Sequence, residues 1–409
     1  MKKNHFWTIH LDYSIIGIVF TLLMIGILSV YVAVSHDYPK MVWPFLGQQL
    51  AWIGVGCVIC LIVTIFSTKF LWKITPFLYL LGLALMVLPL VFYNPNLVAS
   101  TGAKNWVAYG NITLFQPSEF MKISFILMLS RSIVRFFQRN KGRERLLRQD
   151  CFLILELIIY TIPVFALLAL QHDLGTALVF FAIFAGLVLV SGVSWKIILP
   201  VIIVLAGGLA GFLFLFLSEG GRAFLHQQLG MPTYQINRIL AWLNPFDYAQ
   251  TTTYQQAQGQ LAIASGGLLG LGFNVSNLLV PVRESDMIFT VIAEDFGFVG
   301  ALVLLILYVI LIYRILKITL QSNNQFYTYI SIGFIMMMVF HIFENIGAVT
   351  GLLPLTGIPL PFISQGGSSI ISNLIGIGLV LSIFNQSSKK KDRKEPVPIR
   401  KKVVLKRAQ

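Results

Sequence analysis

Residues 281–300 read PVRESDMIFTVIAEDFGFVG and lead into an apolar run that is long enough to be a membrane helix. Four carboxylates, Glu284, Asp286, Glu294 and Asp295, stand at the mouth and in the first turns of that predicted helix. An ionisable side chain in or near hydrocarbon is costly unless it faces water, has a partner or takes part in chemistry. These four residues are therefore candidates for a functional site.

The composition of the chain indicates a membrane protein. Of the 409 residues, 57% are hydrophobic and only 11% are charged, which leaves too little polar surface to cover a soluble globule. Apolar runs of about 20 residues, the length that crosses a bilayer as a helix, recur along the chain. Ten spans are predicted, at 13–34, 47–67, 72–93, 116–137, 152–171, 174–193, 196–217, 287–314, 326–350 and 366–385. The expected fold is an all-α polytopic membrane protein with ten transmembrane helices.

The distribution of Lys and Arg predicts the orientation. With ten spans both termini lie on one side, and 24 of the 30 Lys and Arg residues then fall on that side. Basic loops remain in the cytoplasm, so both termini are predicted to be cytoplasmic. One large extracytoplasmic loop, 218–286, then joins spans seven and eight. Residues 1–386 form the predicted membrane domain, and 387–409 form a basic, disordered cytoplasmic tail.

The net charge of +14 follows from these cytoplasmic runs. Such runs set topology and contact anionic membrane lipids, so nucleic acid is not an expected partner. The sequence also lacks a nucleotide-binding loop, because no Gly-Lys-Ser/Thr follows the glycines near position 270.

Four polar segments converge on the predicted outer face. They are the loop around Trp106, the long loop 218–286, the helix start at Asp286, and the segment GAVTGLLPLTGIPLPFISQGGSS at 347–369. Three prolines and five glycines prevent the last of these from forming a regular helix. Non-helical backbone at this depth must be buried in protein or line a wet cavity.

The side chains on this face suit a phosphate-bearing amphiphile. Its tail would lie between helices, and its phosphate head would meet the cations Lys104, Lys122, Arg238 and Arg283. Because nucleotides are not expected outside the cell, any group transfer there must use a donor that arrives already activated.

Several motifs occur in the order of a known family. They are GAKNW, QPSEFMK, DLGTA, RILAWLNP, YQQAQGQLAIASGG, ESDMIFTVIAEDFGFVG and LLPLTGIPLPFISQGGSS. The chain resembles the SEDS family (shape, elongation, division and sporulation proteins), and within it the rod-shape branch of Gram-positive, streptococcus-like cocci. It departs from the usual family residues at four places, which are His172 for Pro, Glu284-Ser285 for His-Thr, Ala264 for Gly and Gln365 for Tyr.

The resemblance implies a peptidoglycan glycosyltransferase that polymerises lipid II into glycan strands during cell elongation. Its implied partners are lipid II, the nascent glycan strand, a class B penicillin-binding transpeptidase and other elongation proteins. The family's essential carboxylate corresponds to Asp286. The candidates for binding lipid II and its pyrophosphate are Lys104, Trp106, Glu119, Lys122, Arg238 and Ser368, and those for structural support are Glu294, Asp295 and Asp173.

The expected chemistry is a base on the acceptor hydroxyl and stabilisation of the departing pyrophosphate. Cations or a bound Mg²⁺ serve the second purpose, and no other cofactor is implied.

Other interpretations of these residues remain open. From the residues alone, Asp286 serves equally as a helix cap or a catalyst, Asp173 as a cap, and Trp106 as an interfacial belt residue. Lys122 can pair with Glu119, three residues away on the same helix face, as well as contact phosphate. The rival functions are a lipid transporter or flippase and a non-catalytic scaffold for a transpeptidase. Against a transporter, the candidate charges gather at one face and only one span shows a strong break.

Overall fold

A computed structural model describes residues 9–110, 112–142, 146–228, 236, 239–240, 242–246, 253–275 and 278–394. The helices are α1 (Tyr13–Asp37), α2 (Val42–Thr64), α3 (Thr68–Val91), α4 (Pro95–Thr101), α5 (Pro117–Arg139), α6 (Leu147–Gln171), α7 (Leu174–Val190), α8 (Trp195–Leu217), α9 (Glu219–Gln227), α10 (Tyr254–Gly266), α11 (Ile288–Gln321), α12 (Gln325–Val349) and α13 (Gly367–Lys394). A short 3₁₀ turn at Pro39–Met41 precedes α2.

Eight helices of the described chain are long and apolar enough to cross a membrane, which makes this a multi-pass membrane protein. They are α1, α2, α3, α6, α8, α11, α12 and α13. The other two predicted spans coincide with α5, which is more polar, and α7, which has only 17 residues. The count of ten spans therefore stays a prediction.

A small β-hairpin corrects the all-α expectation. Strands β1 (Val107–Tyr109) and β2 (Ile112–Phe115) pair antiparallel. β-branched and aromatic residues favour strands, and Gly110 has the positive φ of +61° that a tight turn requires.

The centre of the bundle consists of α5, α12 and α13. Helix α5 contacts α3, α6, α7, α12 and α13, and most of its residues are buried although several are polar. Because neighbouring helices surround it, its polar groups meet other protein groups rather than lipid. By contrast, α8 has only Ile198 and Phe216 buried, and it packs mainly against α9.

Helix α11 is broken at Gly297, which has φ +63° and ψ −159°. The glycine-rich turn after α10 lies against this break and pairs with the freed backbone groups. The N–H groups of Leu271 and Gly272 donate to the carbonyls of Glu294 and Asp295, at 2.9 and 3.1 Å. In return, Phe298 and Val299 donate to Gly267 and Leu268. The predicted loop 218–286 thus contains a brace for the helix that follows it.

The last helix runs past the predicted end of the membrane domain at 386, to Lys394. Lys and Arg are good helix formers, so the basic run extends α13 before the chain leaves the described range. Most of the predicted disordered tail, 395–409, lies outside the described residues.

Candidate active site

The candidate site lies at the end of the bundle where α3, α6 and α12 end and α5, α7, α11 and α13 begin. We call this end the site face. Between α12 and α13 the chain passes through 350–366, the hinge segment, which contains no regular helix. Its residues 360–364 are buried. The Tyr308 hydroxyl donates to the Pro361 carbonyl at 2.6 Å, and a Cβ on Gly26 would lie 2.7 Å from the Phe362 carbonyl oxygen. Irregular backbone is therefore held inside protein, as the sequence predicts.

The hinge segment runs beside the chain that leads into α11. The Gln365 N–H donates to the Glu284 carbonyl at 2.9 Å, and the Ser364 hydroxyl donates to the Ser285 carbonyl at 2.7 Å. These contacts join residues about 80 positions apart and set the position of Asp286.

Asp286 is partly buried and does not cap α11. The N-cap position belongs to Met287, and no side chain makes a capping hydrogen bond there, so the capping alternative is wrong. Instead, Asp286 Oδ1 accepts from the Ser285 hydroxyl at 2.9 Å. Asn345 Nδ2 donates to the Asp286 carbonyl and to the Ile358 carbonyl, both at 2.8 Å. The carboxylate is thus held without serving the helix end.

The surroundings of Asp286 make it a stronger base than an ordinary carboxylate. Burial raises its pKa, the hydrogen bond from Ser285 opposes this rise, and the neighbouring Glu284 charge adds to it. Gly357, with φ +77°, leaves open the approach to Asp286, because a Cβ there would lie 3.2 Å from Oδ2.

A second carboxyl group, Glu344, lies close by on α12. The Thr356 hydroxyl of the hinge segment donates to Glu344 Oε1. Gly175, at the start of α7, packs closely on Thr356, since a Cβ there would lie 2.9 Å from the Thr356 carbonyl oxygen. Contacts with α7 and α12 therefore hold the hinge segment in place.

Glu119 and Lys122 form a buried ion pair of 2.8 Å in α5. Lys122 Nζ also lies 3.1 Å from His341 Nε2 of α12. The Ser372 hydroxyl donates to the Glu119 carbonyl at 2.9 Å, so α13 contacts the same turn. Lys122 is only 2% exposed, and in this conformation it links helices rather than facing a ligand.

Lys104 is half-buried beside the start of α7. Its N–H donates to the Gln171 carbonyl at 2.8 Å, and its Nζ lies 4.6 Å from the centre of the Tyr93 ring. Asp173 caps α7 by accepting from the Thr176 N–H at 3.0 Å, and it also accepts from the Asn105 amide at 2.7 Å. The loop that carries Lys104 is thus tied to the α6–α7 junction.

Two other predicted residues lie on the site face. Trp106, directly before β1, is half-buried. The Ser368 hydroxyl accepts from the Gln116 N–H at 3.0 Å, which joins the starts of α5 and α13. Arg238 lies outside the described residues.

The two deeper carboxylates have polar partners. Glu294 and Arg283 are both fully buried and form an ion pair. Asp295 Oδ2 accepts from the Asn274 N–H at 3.1 Å. Arg283 is therefore engaged inside the protein, which corrects its expected role as a cation facing the ligand.

The structure also places Asn345, Glu344, His341 and Thr356 around the site, and none of these four was a catalytic or binding candidate from the sequence. The signal for three of them was polar residues at 341, 344 and 345 within the otherwise apolar α12. Within the described ranges, no group of three or more His, Cys, Asp or Glu side chains is placed to hold a metal ion.

The fold and the site define a multi-pass helical membrane protein with a polar, carboxylate-containing site at one end of its bundle. The FtsW/RodA/SpoVE family profile, described as "Cell cycle protein", matches residues 11–389. The chain belongs to this family, as its motifs predicted.

Relatives and solved structures cover nearly the whole chain. It is 32% identical to the peptidoglycan glycosyltransferase MrdB of Escherichia coli, over 93% of this chain and 96% of that one. It is 30% identical to the stage V sporulation protein E of Bacillus subtilis, over 92% and 97%. A chain from a peptidoglycan synthase complex that coordinates polymerization and crosslinking matches with a TM-score of 0.72 and 27% identity, over 95% and 100%. The rod shape determining protein RodA of Thermus thermophilus matches with a TM-score of 0.63 and 27% identity, over 95% and 99%.

Proposed function

We propose that this chain is a peptidoglycan glycosyltransferase that polymerises lipid II into glycan strands at the outer face of the cytoplasmic membrane. Family membership and the names of its relatives support this activity. The observation that carries the assignment of the site is the environment of Asp286. Hydrogen bonds from Ser285 and Asn345 hold Asp286 in place, and Asp286 does not cap a helix.

In the proposed reaction, Asp286 is the general base. It takes the proton from an acceptor sugar hydroxyl as that oxygen bonds to the anomeric carbon of the donor sugar. The bond from the anomeric carbon to phosphate breaks, and undecaprenyl pyrophosphate leaves with the electron pair. Because pyrophosphate is a good leaving group, one base and nearby positive charge are sufficient.

Burial and the charge of Glu284 raise the pKa of Asp286 towards neutral pH. A general base is most effective when its pKa lies near the pH at which the enzyme works. The base form is lost as the pH falls through this raised pKa, and activity should fall with it.

Positive charge for the pyrophosphate comes from the site face. Lys104 is the half-buried candidate in the described chain, and Arg238 is a second candidate from the sequence. Lys122, the other cation that the sequence suggested, is buried and paired with Glu119, so in this conformation its charge is neutralised and it holds α5 against α12. Glu294, Asp295 and Asp173 support the helices that hold these groups.

The proposed function also requires that the site face lies outside the cell. Ten spans with cytoplasmic termini place the site face outside, where lipid II is polymerised and sugar nucleotides are not available. This chain resembles one chain of a peptidoglycan synthase complex that coordinates polymerization and crosslinking, which supports a class B transpeptidase as its partner in cell elongation.

The test compares Asp286→Asn with the wild type in purified protein given lipid II, with and without the transpeptidase, and resolves glycan strands on a gel. Loss of the base should reduce polymerisation by about 10²- to 10⁴-fold while leaving membrane insertion and melting temperature unchanged. The matched control is Glu219→Gln, since Glu219 is an exposed carboxylate whose contact with Arg222 is long, at 3.8 Å. Polymer made at the wild-type rate by folded Asp286→Asn would overturn the assignment.

The gel assay, combined with a measurement of lipid II movement across vesicle membranes, separates the rival functions. Movement of lipid II across vesicles without polymer would indicate a transporter, and polymer only from an added second enzyme would indicate a scaffold. Among the described residues, the break at Gly297 and the hinge segment both lie in the second half of the chain. A transporter built from repeats would have corresponding breaks in both halves.

A further inference from the structure

Glu344 is a buried carboxyl group to which the proposed reaction gives no role. Glu344 is only 2% exposed and lies near the site face in α12, a helix made mostly of apolar residues. Thr356 donates to Oε1, whereas Oε2 has no hydrogen-bond partner among the described residues. An unpaired charge on this oxygen would be far more costly than an unpaired neutral hydroxyl.

Three contacts place Glu344 beside Asp286. Its neighbour Asn345 donates to the Asp286 carbonyl, and its partner Thr356 precedes Gly357, whose Cα faces Asp286 Oδ2. Glu344 thus contacts Thr356 and Asp286 approaches Gly357, so two adjacent residues of the hinge segment bring the carboxyl groups near each other. In the part of the chain that the structure describes, neither carboxyl group forms an ion pair. Two such groups cannot both be ionised without a large cost, so one of them retains a proton.

The structure indicates which group retains it. Asp286 is partly exposed to solvent, and its Oδ1 accepts a hydrogen bond that stabilises the charged form. Glu344 is more deeply buried and has one unpaired oxygen. The negative charge of the pair is therefore better accommodated on Asp286.

We propose that Glu344 is a positioning residue for Asp286. Glu344 holds a proton at the site, and it anchors the hinge segment through its contact with Thr356. Its neutral form leaves the pair's single negative charge on the general base. This inference rests on the proposed role of Asp286 in glycosyl transfer.

The proposal predicts a decline of activity at alkaline pH. When Glu344 also loses its proton, a second negative charge lies near the site and repels the pyrophosphate of the donor. Other ionisable groups face this region and must be separated from it. Glu284 precedes Asp286, Asp37 at the end of α1 interacts with Glu284, and His341 lies one turn before Glu344 but faces Lys122.

The experiment measures the pH profile of lipid II polymerisation with the full-length chain and its transpeptidase. Glu344→Gln keeps an acceptor for Thr356 and imitates the protonated acid. We expect its acidic limb to match the wild type and its alkaline decline to move up by at least about one pH unit. Glu344→Ala removes the contact with Thr356 and should lower kcat about tenfold at every pH. Melting temperatures report whether each variant is folded.

Glu284→Gln is the comparison variant. Removing its charge lowers the pKa of Asp286, so the acidic limb should move to lower pH while the alkaline decline stays. A folded Glu344→Gln variant whose profile superimposes on the wild type, or which is inactive at all pH values, overturns the inference. Retained activity in Asp286→Asn contradicts the proposed general base itself, whatever the Glu344 variants do.

Discussion

Asn345 joins two backbone segments that lie far apart in sequence. Its amide donates to the carbonyl of Asp286 before α11 and to the carbonyl of Ile358 in the hinge segment. Both carbonyls lose their partner if the amide is removed, and an unpaired buried polar group costs about 1–3 kcal/mol. Asn345 therefore determines where Asp286, the proposed general base, lies relative to the hinge segment.

We predict that Asn345→Ala lowers kcat by about 10- to 100-fold, because even a small displacement of a catalytic group is costly. Polymerisation of lipid II at saturating substrate measures this. The control is Asn385→Ala. Asn385 is another buried residue, in the part of α13 far from the site face, and its amide donates to the Thr64 carbonyl at 3.4 Å. Both variants should lose stability, but only Asn345→Ala should lose turnover; equal turnover in the two would contradict the role of Asn345.

At the scale of elements, α11 depends on its break at Gly297. A Cβ at this position would lie 2.4 Å from the Gly270 nitrogen, and the φ of +63° is unfavourable for other residues. Because the turn after α10 occupies the break, the long loop and the helix that follows Asp286 form one unit.

Gly297→Ala should therefore destabilise the protein by about 1–3 kcal/mol and lower the yield of active enzyme. Thermal unfolding in detergent measures the change. Gly207→Ala in α8 is the matched control, because nothing lies within 4 Å of a Cβ there and Ala favours helix. A melting temperature of Gly297→Ala equal to that of the control would show that the break is not required.

At the scale of the whole molecule, the proposed topology places the site face outside the cell. Single cysteines can test this in a chain that lacks Cys57, Cys60 and Cys151. Glu219→Cys lies on the site face and Lys141→Cys at the opposite end, and both positions are exposed.

A membrane-impermeant maleimide should label Glu219→Cys in intact cells and label Lys141→Cys only after permeabilisation. The physical basis is the excess of Lys and Arg at the opposite end, which remains in the cytoplasm. The reverse pattern would contradict an outward-facing site.

Hydrophobicity along the chain accounts for much of the fold. Each predicted span coincides with a helix, because about 20 apolar residues in lipid must satisfy their backbone hydrogen bonds internally. The hairpin at 107–115 was missed, because its strands are short and strand preference depends on context.

The candidate site was only partly predictable. Because charged residues near hydrocarbon are unusual, the sequence offered four acidic candidates between 284 and 295. The family's motifs then pointed to Asp286, Glu119 and Lys122. The sequence did not show that Arg283 is buried against Glu294. A cation's availability depends on which neighbours surround it, and those neighbours come from distant parts of the chain.

The sequence by itself determined the class of membrane protein and the family, and it proposed Asp286 as the central carboxylate of the stretch 281–300. Only the tertiary structure decided that Asp286 does not cap its helix, and that Asn345, Glu344 and Thr356 surround it. The physical reason is that hydrophobic spans and motifs are local patterns, whereas hydrogen bonds between α11, α12 and the hinge segment form only when the bundle brings their ends together.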